Sequence, residues 1–82
     1  MSILTTKIVS NYDEEDDILY LSIGKPTPSI TTETDDGILI RKEKGSNKIT
    51  GVTILDYKYK KSNNIKMKLP KEIDLKLINI KI

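Results

Sequence analysis

The densest group of ionisable side chains in this 82-residue chain is Asp13-Glu14-Glu15-Asp16-Asp17. Adjacent carboxylates offer oxygen ligands to a hard divalent cation. The spacing does not fit the twelve-residue calcium loop, which needs ligands at alternating positions, a glycine at its sixth and a glutamate at its end. Consecutive carboxylates also point in different directions, so they do not converge on one substrate as general acid and base. The run reads instead as a solvated, turn-forming connection that can present negative charge to a basic partner. Asp13, Glu14, Glu15, Asp16 and Asp17 are therefore the candidate partner-binding residues.

A second group has the opposite sign. Tyr57 and Tyr59 interleave with Lys58, Lys60 and Lys61, and Lys66 and Lys68 follow at a spacing of two. Single-strand binders combine aromatic stacking with backbone neutralisation in this way. These seven residues are the candidate nucleic-acid-binding set, the alternative to protein binding. Neutralising about four phosphates would give a log–log salt slope of roughly −3 to −4. The bland reading is an edge strand defended by lysines, with each tyrosine an ordinary amphipathic β residue. Only one arginine, Arg41, is present, and arginine is the usual reader of base edges.

Other chemistries lack their residues. The chain has no histidine and no cysteine, so the commonest general base, the commonest zinc ligand and the thiolate nucleophile are all missing. Gly24, Gly37, Gly45 and Gly51 are too scattered for a phosphate-cradling loop. No serine sits in a G-x-S-x-G elbow. The reading is of a protein that is not an enzyme, with no catalytic residue, no metal site and no cofactor.

The elements that must position these groups are strands. Eighty-two residues make one domain, and a chain this short buries only about 60–65% of its unfolded surface. Phe and Trp are absent, so the core is aliphatic, and Ile- and Thr-rich segments suit a pleated surface. Apolar residues recur at a period of 2 in Leu4–Ser10, Asp17–Ile23, Ser29–Asp35, Ile38–Glu43 and Lys48–Lys58. In the second, Leu19, Leu21 and Ile23 share one face and Ile18 and Tyr20 the other, which suggests a central strand. In the last, Ile49, Gly51, Thr53, Leu55 and Tyr57 fall on one face and Val52 and Ile54 on the other. Gly51 suggests a bulge or a close backbone approach. Asn11–Asp16 reads as a polar break, Asp36-Gly37 as a primed two-residue hairpin turn, and Lys44–Asn47 as a second turn.

These signals predict a mainly β fold: an antiparallel meander of about five strands over residues 3–57. A C-terminal strand or hairpin would be added from Ile65–Leu69 and Leu75–Ile82. Helix is expected to amount to at most a short turn near 70–74, opened by Pro70. The whole chain, 1–82, is read as a single domain, with a core at 12–57 and a basic tail at 58–82. The net charge of +2 conceals this layout: residues 1–37 carry −6, residues 38–57 carry +2 and residues 58–82 carry +6.

From Tyr12 to Tyr57 the chain resembles the YuzE-like proteins, a family built on a domain of unknown function. The resemblance rests on Tyr12-Asp13, Asp17-Ile18-Leu19-Tyr20-Leu21, Asp36-Gly37-Ile38-Leu39-Ile40 and Ile49-Thr50-Gly51-Val52-Thr53-Ile54-Leu55-Asp56. Two positions depart from the family pattern: Arg41 and Thr53 stand where acids are usual. The resemblance implies a small β-rich domain, often encoded beside another small protein, with some members similar to antitoxins. It brings no established activity. Within the motif, Tyr12 and Tyr20 read as packing residues, and Asp13 and Asp17 as turn formers.

The functional expectation is a protein-binding module, antitoxin-like, that regulates a partner encoded nearby. Open sheet edges lead us to expect a homo-oligomer, a dimer through edge strands, with the Ile78, Ile80 and Ile82 face contributing. Met1–Ser10 has no signal-peptide pattern and no apolar run is long enough to span a bilayer. A cytoplasmic location without membrane contact is expected.

Overall fold

The computed structural model describes residues 8–34, 37–71, 73 and 75. Five strands, β1 (Ile8–Asp13), β2 (Ile18–Ile23), β3 (Ser29–Glu33), β4 (Ile38–Glu43) and β5 (Ile49–Leu55), are followed by one helix, α1 (Tyr57–Ser62). All pairings are antiparallel, in one open sheet of order β1-β2-β5-β4-β3. The fold is mainly β, as the periodicity predicts.

The strand order differs from a sequential meander at one junction, where β2 pairs with β5 instead of β3. Burial explains the choice. β2 and β5 carry the most buried apolar side chains, Leu19, Leu21 and Ile23 on one and Ile49, Val52 and Ile54 on the other. Setting them side by side puts these at the centre of one face. β3 is Thr-rich and its one isoleucine, Ile30, is 57% exposed, so little is lost by leaving it at the edge. Pro26 and Pro28 also interrupt the link from β2 to β3, where a tight hairpin would otherwise form.

Ile38, Tyr57 and Ile73 complete the buried core, and Tyr12, Ile40, Met67, Leu69 and Leu75 pack against it. The opposite face of the sheet, carrying Tyr20, Ser22 and Thr31, is open to solvent.

The bulge expected at Gly51 is present and corrects the face assignment of β5. Ile40 opposes Val52 and Arg41 opposes Gly51, but Lys42 opposes Ile49, so Thr50 is the extra residue. The extra residue inverts the alternation, so Ile49 joins Val52 and Ile54 on the core face. Gly51 also meets a close approach: a Cβ there would lie 1.9 Å from a terminal nitrogen of Arg41. The Arg41 side chain lies over that glycine, and its Nη2 donates to Leu21 O at 3.4 Å and to Ser22 Oγ at 3.3 Å.

Several boundaries move. β1 runs through Asp13, where a polar break was expected, because it stays in register with β2 from Ile8↔Ile23 to Asp13↔Ile18. Leu4–Lys7 lies outside the described residues. Of the turn expected at Asp36-Gly37, Asp36 lies outside the described residues; β3 and β4 are joined as a hairpin, and Thr34 N–H donates to Ile38 O at 2.8 Å. Three residues therefore intervene, one more than a two-residue turn has. Gly37 closes the loop in the left-handed region, at φ 72, the position a three-residue hairpin gives to glycine. In the second turn, Ser46 Oγ donates to Glu43 Oε1 at 2.7 Å and holds that carboxyl below its ordinary range.

The expected strand over Lys48–Lys58 stops at Leu55. Asp56 turns left-handed (φ 53) and the chain enters α1, so the helix lies here and not only near 70–74. At the latter place a single turn closes from Ile73 N–H to Pro70 O at 2.9 Å. Ile65–Leu69 is not a strand. Met67 and Leu69 are drawn onto the core face, so the segment covers the sheet and adds nothing to its edge. The expected strand Leu75–Ile82 lies, beyond Leu75, outside the described residues, as does the Ile78, Ile80 and Ile82 face. Among the described residues no helix is long and apolar enough to cross a membrane.

Candidate partner-binding site at the first turn

The acidic run divides into two structural and three presented carboxylates. Asp13 ends β1, and its Oδ1 accepts the N–H groups of Glu15 at 3.1 Å and Asp16 at 3.3 Å. This is the Asx turn that aspartate forms in place of a backbone turn. Asp17 adopts φ 55 at the other end of the loop. Its Oδ1 accepts Lys58 N–H at 2.8 Å and its Oδ2 accepts Tyr59 N–H at 3.2 Å. Its backbone oxygen accepts Tyr57 N–H at 3.1 Å. Asp17 thus caps α1 from a distant turn, and it is needed there because Asp56, the residue at the cap position, makes no side-chain cap bond.

Tyr12 completes the link. Its hydroxyl donates to Asp17 Oδ1 at 2.6 Å, and its ring meets Tyr57 edge-on with centroids 6.0 Å apart. That hydrogen bond holds the Asp17 carboxyl below its ordinary range, helped by the N–H groups of Lys58 and Tyr59. The same bond pushes the Tyr12 phenol up to about 12, because ionising it would set two negative oxygens against each other.

Glu14, Glu15 and Asp16 remain exposed on this braced loop. Among the described residues, no group of three or more Asp and Glu is arranged to hold a metal ion.

The basic set is split as well. Tyr57 is buried at 2% exposure and belongs to the core. Lys60 is buried at 7% exposure, and its Nζ donates to Leu55 O. Neither is presented to a ligand. Lys58, Tyr59, Lys61, Lys66 and Lys68 are exposed, and Lys61 Nζ sits 5.9 Å from the Tyr57 ring centroid. The structure also brings the two sets together: Asp17 of the acidic turn holds the first turn of α1, which carries Lys58 and Tyr59.

Sequence reading missed α1 and the structural role of Lys60. The signal for the helix lay at its end. Lys60 and Lys61 occupy the last turn, and Asn63 and Asn64 stop it, with Asn63 Nδ2 donating to Tyr59 O at 2.8 Å and Asn64 at φ 54. The Tyr12–Asp17–α1 link joins residues about 41 apart, and no local pattern carries it.

The fold and this turn define a small antiparallel β domain whose first loop is locked to its only described helix. The chain belongs to the family described as a protein of unknown function (DUF2283), whose model matches residues 10–58. That stretch runs from within β1 to the second residue of α1, so it takes in Tyr12, Asp17 and Lys58. No curated protein and no solved structure matches the chain.

Proposed function

We propose that the protein is a non-catalytic, cytoplasmic protein-binding module, antitoxin-like, which engages a basic partner encoded nearby through Glu14, Glu15 and Asp16. The observation that supports this is the division of labour in the first turn. Asp13 and Asp17 spend their carboxylates bracing the loop, and the three acids between them stay exposed on a fixed frame. Pre-organised charge of one sign steers a partner of the other sign and suppresses wrong ones. Co-expression with the neighbouring gene product, followed by a pull-down, is the test. Binding should be lost on high-salt washing and in the Glu14→Gln, Glu15→Gln, Asp16→Asn variant. Binding that survives removal of all three charges, or no binding to any neighbour, refutes the assignment.

Nucleic-acid binding is the second reading, supported by the Tyr59 ring, 61% exposed beside Lys58 and Lys61. The proximity of the acidic turn to α1 opposes it. A gel shift at about 50 mM salt, where phosphate contacts are strongest, decides the matter. No retardation of single-stranded or duplex DNA or RNA would remove this reading.

A further inference from the structure

The phase of the hydrogen bonds along β3 can be read from its two ends. Thr34 N–H donates to Ile38 O at 2.8 Å, and Lys44 N–H donates to Pro28 O at 3.1 Å. Antiparallel pairs alternate between bonded and non-bonded positions. Positions 28, 30, 32 and 34 therefore turn their backbone groups toward β4. Ser29, Thr31 and Glu33 turn theirs outward, and among the described residues no strand lies beyond β3. Three N–H and three C=O groups thus form an open edge. Ser29–Glu33 contains no lysine, no proline and no bulge to guard that edge, and its one charge, Glu33, lies at its end.

We propose that two copies of this chain pair along β3, antiparallel and isologous, centred on Thr31, to make one continuous ten-stranded sheet. This goes beyond the partner-binding reading and does not depend on it. The register follows from the outward groups. With Thr31 opposite Thr31 of the partner subunit, and Ser29 opposite Glu33 of the partner subunit, all six groups of each edge are satisfied, giving six bonds. Sliding the pair by two residues in either direction leaves four. The only charge in the strand, Glu33, then faces a serine, so no like charges are opposed. On the core face, Ile30, 57% exposed in the single chain, comes opposite Thr32 of the partner subunit. That is a non-bonded pair, where strands approach most closely. A two-fold axis through Thr31 is the ordinary closed symmetry of such contacts.

Analytical ultracentrifugation of the full chain should give twice the 9.3 kDa monomer mass, with dissociation on dilution. Thr31→Pro removes an outward N–H that serves no ladder bond, a place where an edge strand tolerates proline. It should yield a folded monomer by circular dichroism and sedimentation. Should that variant fail to fold, Thr31→Cys gives the same answer. It places the only thiol of the chain opposite itself, at a Cα separation of about 5.5 Å, within disulfide range. Oxidation should then produce a covalent dimer, and Thr32→Cys should not. A native chain that stays monomeric at the highest soluble concentration overturns the proposal, even if it takes up an added extended peptide along β3. So does a dimer in which Thr31→Cys fails to cross-link.

Discussion

Deleting Thr50 tests whether it is the extra residue of β5. Without it Ile49 is joined directly to Gly51, and strict alternation puts Val52 inward, Gly51 outward and Ile49 inward again, opposite Lys42 as before. Ile49, Val52 and Ile54 therefore all keep the core face. What is lost is the bond between Ser29 Oγ and Thr50 Oγ1, 2.8 Å long, worth about 0.5–1.5 kcal/mol. Turning Ile49 to solvent would cost about 1.5–3 kcal/mol more, a large share of the total of about 4–12 kcal/mol for a domain of this length. Urea unfolding separates the two. With m of about 1–1.5 kcal/mol/M, the midpoint should fall by only about 0.5–1 M. Ile49→Ala sharpens the result. It should cost about 2–5 kcal/mol in the native chain and as much in the deletion background, because the side chain stays in the core. A cost of less than about 0.5 kcal/mol in the deletion background would refute the argument.

Three further outcomes follow from individual contacts. Tyr12 should ionise at about 12, above its ordinary 10.0, by ultraviolet difference titration, and Asp17→Asn should bring it back down. The stabilisation tied to the phenol is complete below pH 10 and fades as pH rises through 12. That tied to the lowered Asp17 carboxyl is present above its ordinary 3.8 and fades as pH falls through its folded value, so the native chain and Asp17→Asn should converge in stability in strong acid. Lys60→Met should be neutral or stabilising in a thermal melt, since an apolar chain of similar size replaces a buried ammonium, and it should leave any nucleic-acid retardation unchanged. Gly37→Ala should destabilise by about 1–2 kcal/mol in the same melt, because φ 72 strains any other residue and the new Cβ would crowd Lys60 Nζ at 3.1 Å.

The features legible in the sequence are those written in neighbouring residues. The buried face of β2 follows from the alternation of Leu19, Leu21 and Ile23, and the bulge from a glycine inside a strand-like run. The turn chemistry of Asp13 and Asp17 was readable for the same reason. What escaped depends on residues far apart. The pairing of β2 with β5 is a global choice about which strands deserve the centre, and a period of 2 is silent on it. Tyr57 and Lys60 read as surface groups because α1 is too short to show an apolar stripe of its own. In the acidic run, the cap that Asp17 makes to Lys58 and Tyr59 joins residues about 41 apart, and no neighbouring residue announces it.

The strand order has a consequence during synthesis. The β1–β2 hairpin is made first, yet the inner edge of β2 has no partner until β5 arrives, with 32 residues, 24–55, still to be added. At about 5–20 residues per second, the growing chain carries an apolar, unpaired strand for about 2–6 s. Nascent chains on neighbouring ribosomes can meet at that edge. The segment made next carries Lys25, Pro26 and Pro28, a charge and two missing donors that a foreign strand extending past Ile23 would encounter first.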